Sequence, residues 1–194
     1  MDHFATRETL NLKNVARTAS IRRVHGMRAT RWVMGLLMSA FLVATLFAQE
    51  SAVPINIQVV LFKKIFMFDK SLQGDPKIVV VYADASQGSK DDIVSAFQQA
   101  GLTAFAVKSD QAAARIPEAS VVYLAAGAGS AKSLCVRNSL LSISGVTSLV
   151  EEGAVAVGIG TESGKPKIVV TLGVLKSEGH ELSADVLKMA RIIQ

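Results

Sequence analysis

The apolar positions of this chain change period several times, and each change marks an element. Between Pro54 and Phe68, Ile55, Val59, Phe62 and Phe66 recur at helical spacing, with Ile65 and Phe68 widening the stripe and Lys63 and Lys64 on the opposite, wet side. Asp69-Lys70 and the breakers Gln73-Gly74-Asp75-Pro76 end that helix. Lys77–Ala83 is then a continuous β-branched run, the pattern of a strand covered on both faces. Ser89, with Asp92 three residues on, predicts a capped helix whose inner face is Ile93, Val94, Phe97 and Ala100, closed by Gly101.

The cycle repeats with a strand over Thr103–Val107, a short helix over Asp110–Arg115 and a covered strand over Ser120–Ala125. A helix over Ser130–Arg137 and a strand over Leu140–Ile143 follow. Strands at Ala154–Gly160 and Lys167–Thr171 flank the breaker-rich turn Thr161–Pro166, which predicts a hairpin. A helical turn near Gly173–Lys176 precedes a last helix, capped by Ser183 and carrying Val186, Leu187, Ala190 and Ile193. Alternating α and β elements with buried strands predict an α/β fold. It is expected as a single three-layer domain of Rossmann/flavodoxin-like type: a mostly parallel sheet flanked by helices, with a C-terminal antiparallel hairpin at one edge.

The uncharged run Trp32–Phe47 has a different meaning. Arg28 and Arg31 precede it and Ala48-Gln49-Glu50 follow it, the layout of a secretory signal peptide over residues 27–49. As a helix, Trp32–Ala48 would reach about 25 Å, short of the ~30 Å hydrocarbon core, so cleavage near Ala48 is favoured over an anchor. Residues 1–26 read as an extension, either a start assigned ahead of Met27 or a disordered n-region. The domain proper is 50–194, and its expected compartment is the periplasm, with membrane contact through the signal peptide alone.

Charge then loses its apparent significance. The chain carries 21 Lys/Arg and 16 Asp/Glu. Seven of the basic and two of the acidic residues precede Gln49, so the excess belongs to the leader and the rest is neutral. A nucleic-acid interface needs a basic patch on the folded domain, and that function is excluded. One cysteine, Cys135, has no intramolecular partner, so the fold depends on its core, and a buried thiol on a helix face is expected.

Ligands of open α/β sheets bind beyond the carboxyl ends of the strands. The loops there place Asp84, Ser86 and Ser89 in one group and Gly127, Gly129, Ser130 and Lys132 in another. These seven are the candidate ligand or partner residues. Ala126–Ser133 has the spacing of a P-loop, but Ala126 and Ala131 replace both glycines, and an exported domain lacks a nucleoside triphosphate supply. A dinucleotide fingerprint fails at Lys132, and a phospho-receiver fails because its acceptor Asp would fall at Ala125-Ala126. His180 follows Ser177-Glu-Gly as an ordinary loop histidine, and Glu151-Glu152 as a solvated loop pair. One histidine after the leader makes no zinc site, and no GxSxG elbow occurs. No catalytic, cofactor or metal residues are expected, and the chain is read as a non-enzyme.

From Pro54 to Ile193 the chain resembles the YfiR-like family of small exported bacterial proteins. The likeness is carried by Gly158-Ile-Gly, Lys167–Leu172, the Lys176-Ser-Glu-Gly179 step and the closing Leu182-Ser183-x-x-Val186-Leu187-Lys188-x-Ala190. It departs from the family at Phe68-Asp69, where Trp-Pro is common, at Thr171-Leu172, where Asn-Leu is usual, and in having a single cysteine. The resemblance implies a periplasmic, non-catalytic regulator that binds the periplasmic part of an inner-membrane signalling protein, of diguanylate cyclase or sensor kinase type. The alternative is a periplasmic small-ligand binding module using the two loops above. A homodimer, through an edge strand or the first helix, is a further expectation.

Overall fold

The computed structural model describes residues 53–194, so the expected leader at 27–49 and the extension at 1–26 lie outside the described residues. Among the described residues, seven strands form one sheet in the order β2-β1-β3-β4-β5-β6-β7. They are β1 Lys77–Tyr82, β2 Thr103–Lys108, β3 Val121–Leu124, β4 Leu141–Ser144, β5 Val157–Glu162, β6 Lys165–Thr171 and β7 Arg191–Ile193. The first five run parallel, β6 returns antiparallel to β5, and β7 pairs parallel with β6. The α-helices that accompany them are α1 Ile55–Phe68, α2 Lys90–Gln99, α3 Ala112–Arg115, α4 Lys132–Asn138, α5 Thr147–Glu151, α6 Leu172–Ser177 and α7 Ala184–Met189. This is the expected α/β architecture, and no described helix is long and apolar enough to cross a membrane.

The β-branched runs are uniformly apolar because both faces are covered. Ile78, Val80, Val121 and Tyr123 point to the face packed by Val59 and Phe62 of α1, Phe97 of α2, Leu175 of α6 and Val186 of α7. Val79, Val81, Val122 and Leu124 point to the other face, against Ile116, Cys135 of α4 and Val150 of α5. Phe62, Phe97 and Tyr123 meet edge-on or tilted, with centroids 5.8–6.4 Å apart, an arrangement that favours ring edges against ring faces.

Four expectations are corrected. Phe68 does not widen the buried stripe of α1; it is exposed, and the polar Gln58 is buried instead. The last helix stops at Met189, so Ile193 belongs to β7, which covers β6 and moves the hairpin inward from the edge. The hairpin turn is tighter than Thr161–Pro166, because Ser163 and Gly164 both adopt positive φ and act as a two-residue turn. Glu151 ends the helix α5 and pairs with Arg191.

Candidate functional site

Strand β1 has β2 on one side and β3 on the other, so the chain leaves the carboxyl ends of β1 and β3 toward opposite flanks. That divergence is the topological switch point where open α/β sheets place ligands. The two candidate loops meet there. Gly127 takes φ +73°, and a Cβ on it would stand 3.2 Å from the Ala85 Cβ, so the β3 loop rests directly on the β1 loop. The Ala125 N–H donates to the Val81 carbonyl at 2.9 Å and holds the start of the loop in line with β1.

The seven candidate residues divide by what already occupies them. Ser86 is buried, and its Oγ accepts the Ala83 N–H at 3.1 Å. Ser89 does not cap α2 as expected: its Oγ donates to the Ser86 carbonyl at 3.2 Å, so the hydroxyl is spent within the turn. Both serines therefore shape the loop and leave its polar surface to others. Asp84 is exposed and pairs with Lys108, at the end of β2, over 2.8 Å. The hydrogen bond and charge of Asp84 hold the Lys108 amine above the ordinary lysine range.

The second loop is rich in donors. Gly127 and Gly129 both have positive φ, the left-handed conformation that glycine adopts without a Cβ penalty. Among the described residues no acceptor meets the N–H of Gly127, Gly129 or Ser130. Ser130 Oγ accepts the Lys132 N–H at 3.4 Å, and the Lys132 side chain is exposed at the start of α4. The two loops and the end of β2 thus carry one carboxylate, two lysines, a hydroxyl and three backbone N–H groups without a protein acceptor among the described residues. That set suits a small polar or zwitterionic solute.

A second polar node lies at the carboxyl end of β3, on the α1 side. Gln58 Nε2 donates to the Val53 carbonyl at 2.6 Å, and Tyr123 Oη donates to Gln58 Oε1 at 3.3 Å. Gly145, just past β4, leaves room for the Gln58 amide, which a Cβ would overlap. Burial pushes the Tyr123 phenol up to about 12.

A buried polar cluster at the opposite end of the sheet carries no signal in the local sequence. His180 Nδ1 lies 2.7 Å from Asp69 Oδ2, and its Nε2 faces the Ser139 carbonyl at 3.3 Å. Beside it, Glu178 accepts the Ser142 N–H at 3.0 Å and the Ser142 hydroxyl at 2.6 Å, while Ser142 Oγ accepts the Ala156 N–H at 2.8 Å. His180 is therefore a buried, doubly engaged residue rather than an ordinary loop histidine. Its two ring nitrogens face two acceptors, a carboxylate and a backbone carbonyl, so the imidazole is held from both sides. For Asp69, burial raises the pKa but the bonds from His180 and Ser71 outweigh it, and the net shift is downward. Burial dominates at Glu178 and raises it. The cluster sits at the amino ends of the strands, where it ties α1, β4 and the α6–α7 connection together. Among the described residues, no group of three or more metal-ligating side chains occurs.

No protein-family model and no curated protein matches this sequence. Solved structures do match the fold. A conserved domain protein of Vibrio cholerae O1 biovar El Tor aligns with a TM-score of 0.57 and 16% identity, over 73% of this chain and 60% of that one. An ABC domain from Streptococcus pneumoniae, solved in complex with L-Trp, aligns with a TM-score of 0.54 and 16% identity, over 72% of this chain and 60% of its own. A substrate-binding protein with adhesive properties from Clostridium difficile, in a ligand-free open form, gives 0.49 and 17% over 73% and 60%. The chain thus spans about 60% of the length of the structures it matches. At such identities the likeness establishes the α/β fold.

Proposed function

We propose that residues 53–194 form a small-ligand binding module that works outside the cytoplasm, with its site at the β1/β3 switch point. The observation that carries this reading is the close approach of Gly127 to Ala85, which sets the loop bearing Ser130 and Lys132 beside the loop bearing Asp84, itself paired with Lys108. The L-Trp held by the pneumococcal domain of similar fold supports a solute with a carboxylate and an amine as the first class to try. The N–H groups would receive the carboxylate, and Asp84 the amine, exchanging its exposed partner Lys108 for the ligand. Exposed pairs of this kind are worth only ~0–1 kcal/mol, so the exchange costs little.

Thermal denaturation against a panel of amino acids and other small zwitterions tests the reading. A ligand at 100 times its Kd adds about 2.7 kcal/mol to stability, a shift of several degrees for a domain of this size. Lys132→Ala together with Asp84→Ala should abolish the shift and leave the unliganded melting temperature unchanged. The regulator reading, implied by the YfiR-like resemblance, acts through a protein surface. It predicts no ligand response and recovery of a membrane signalling protein in pull-downs from solubilised inner membrane.

A further inference from the structure

Helix α1 is apolar on two faces, and the sheet covers only one of them. Val59, Phe62, Ile65 and Phe66 are buried, while on the far side Val60 is 66% and Met67 76% exposed, with Ile57 and Phe68 also exposed. A helix that is apolar all round is normally covered all round. The spacing of the outer face is specific. Ile57 and Lys64 are seven residues apart, as are Val60 and Met67, so they form the a and d positions of two heptads. The stripe is also symmetric about Phe62: reversing the helix exchanges Ile57 with Met67 and Val60 with Lys64.

We propose that this face binds the same face of a second copy, with the two α1 helices antiparallel across a two-fold axis at Phe62. In that register Ile57 packs on Met67 of the second copy, and Val60 packs on the stem of its Lys64. A two-fold contact requires a patch complementary to itself under reversal, and this stripe meets that condition. The Lys64 ammonium groups lie on opposite sides of the axis and reach the rim, leaving their methylenes over apolar surface. Lys64 at an a position also sets the register at some expense of affinity.

An anionic lipid surface suits this face less well. The Lys63 ammonium donates to the Ala100 carbonyl at 2.6 Å and is turned toward α2, so Lys64 alone remains to meet headgroups. The exposed apolar atoms amount to about 400 Å² per copy, and about 600 Å² with the Lys64 stem and flanking edges, at the low end of specific interfaces. An interface of that size is a weak, reversible one.

Sedimentation equilibrium of the purified protein from 5 to 500 μM is the test. It should follow a monomer–dimer equilibrium, and Lys64→Leu should tighten it at least tenfold. Val60→Glu with Met67→Glu should leave a monomer with unchanged circular dichroism and melting temperature. Both sites are exposed, and a carboxylate at position 60 would stand four residues before Lys64, a favourable helical spacing. In a Cys135→Ala background, oxidation should cross-link Ile57→Cys/Met67→Cys and not Ile57→Cys alone. A monomer at 500 μM overturns the proposal, as does self-association that survives the double glutamate substitution. Cross-linking of Ile57→Cys alone, or binding to phosphatidylglycerol vesicles by a protein that stays monomeric, also overturns it.

Discussion

Asp69 Oδ2 stands 2.7 Å from His180 Nδ1, with both side chains almost completely buried and the two residues 111 positions apart along the chain. The pair sits where the end of α1 crosses the α6–α7 connection, and the backbone repeats the tie. The Lys70 N–H donates to the Glu181 carbonyl at 3.0 Å, and the Ser183 N–H to the Phe68 carbonyl at 3.0 Å. The first helix and the C-terminal segment are thereby clamped to each other below the amino ends of the strands.

Removing one member strands the other in a dry site. Asp69→Ala or His180→Ala should destabilise the domain by about 3–5 kcal/mol in urea denaturation. Asp69 titrates below its ordinary 3.8 in the fold, so its contribution is complete above pH 3.8 and is lost as pH falls through the lower folded value. Asp69→Asn should therefore flatten the acid limb of a stability–pH profile.

Glu178 gives the opposite slope. Its folded pKa lies above 4.5, mainly through burial, so its contribution is complete below pH 4.5 and is lost as pH rises through the raised value. Glu178→Gln should remove that loss, while Glu178→Ala, which strands the Ser142 N–H and hydroxyl, should cost about 2–4 kcal/mol. Denaturation midpoints between pH 4 and 8 distinguish the two.

Gly145→Ala should force Gln58 away from Val53 and Tyr123 and cost about 1–3 kcal/mol, as overpacked sites do. Tyr123→Phe should cost about 1 kcal/mol for the single hydroxyl. In ultraviolet absorbance titration it should also remove a phenolate step near pH 12.

Cys135 is fully buried, and burial, with Glu178 next in effect, raises its thiol far above the ordinary value. Alkylation of the native protein should be slower than that of the urea-unfolded chain by at least a hundredfold, because the thiolate is the reacting form. Comparable rates would show that α4 opens locally.

The parts of the fold legible in the sequence were those set by near neighbours. Val79, Val80 and Val81 announce a doubly covered strand, and Val59, Phe62 and Phe66 a helix with an inner face. Gly127 and Gly129 also mark their loop locally, since positive φ is a property of the residue itself. Short elements escaped. Thr147–Glu151 is too brief for a helical period, and Arg191–Ile193 continues the apolar spacing of α7 until pairing with β6 draws it into the sheet. Ser89 has the residue type of a cap, but its hydroxyl found the Ser86 carbonyl first.

The sequence by itself determined the class of the fold, the order of its main elements and the loops that would stand at the carboxyl ends of the strands. Those properties follow from periodicity and backbone preference, which act over a few residues. Tertiary structure alone decided that Gly127 rests on Ala85, that Ser86 and Ser89 are spent within their turn, and that Asp69 meets His180. It alone left the second apolar stripe of α1 without cover. Each of these depends on groups brought together by sheet order, and no spacing rule along the chain records which distant side chain will fill a buried position.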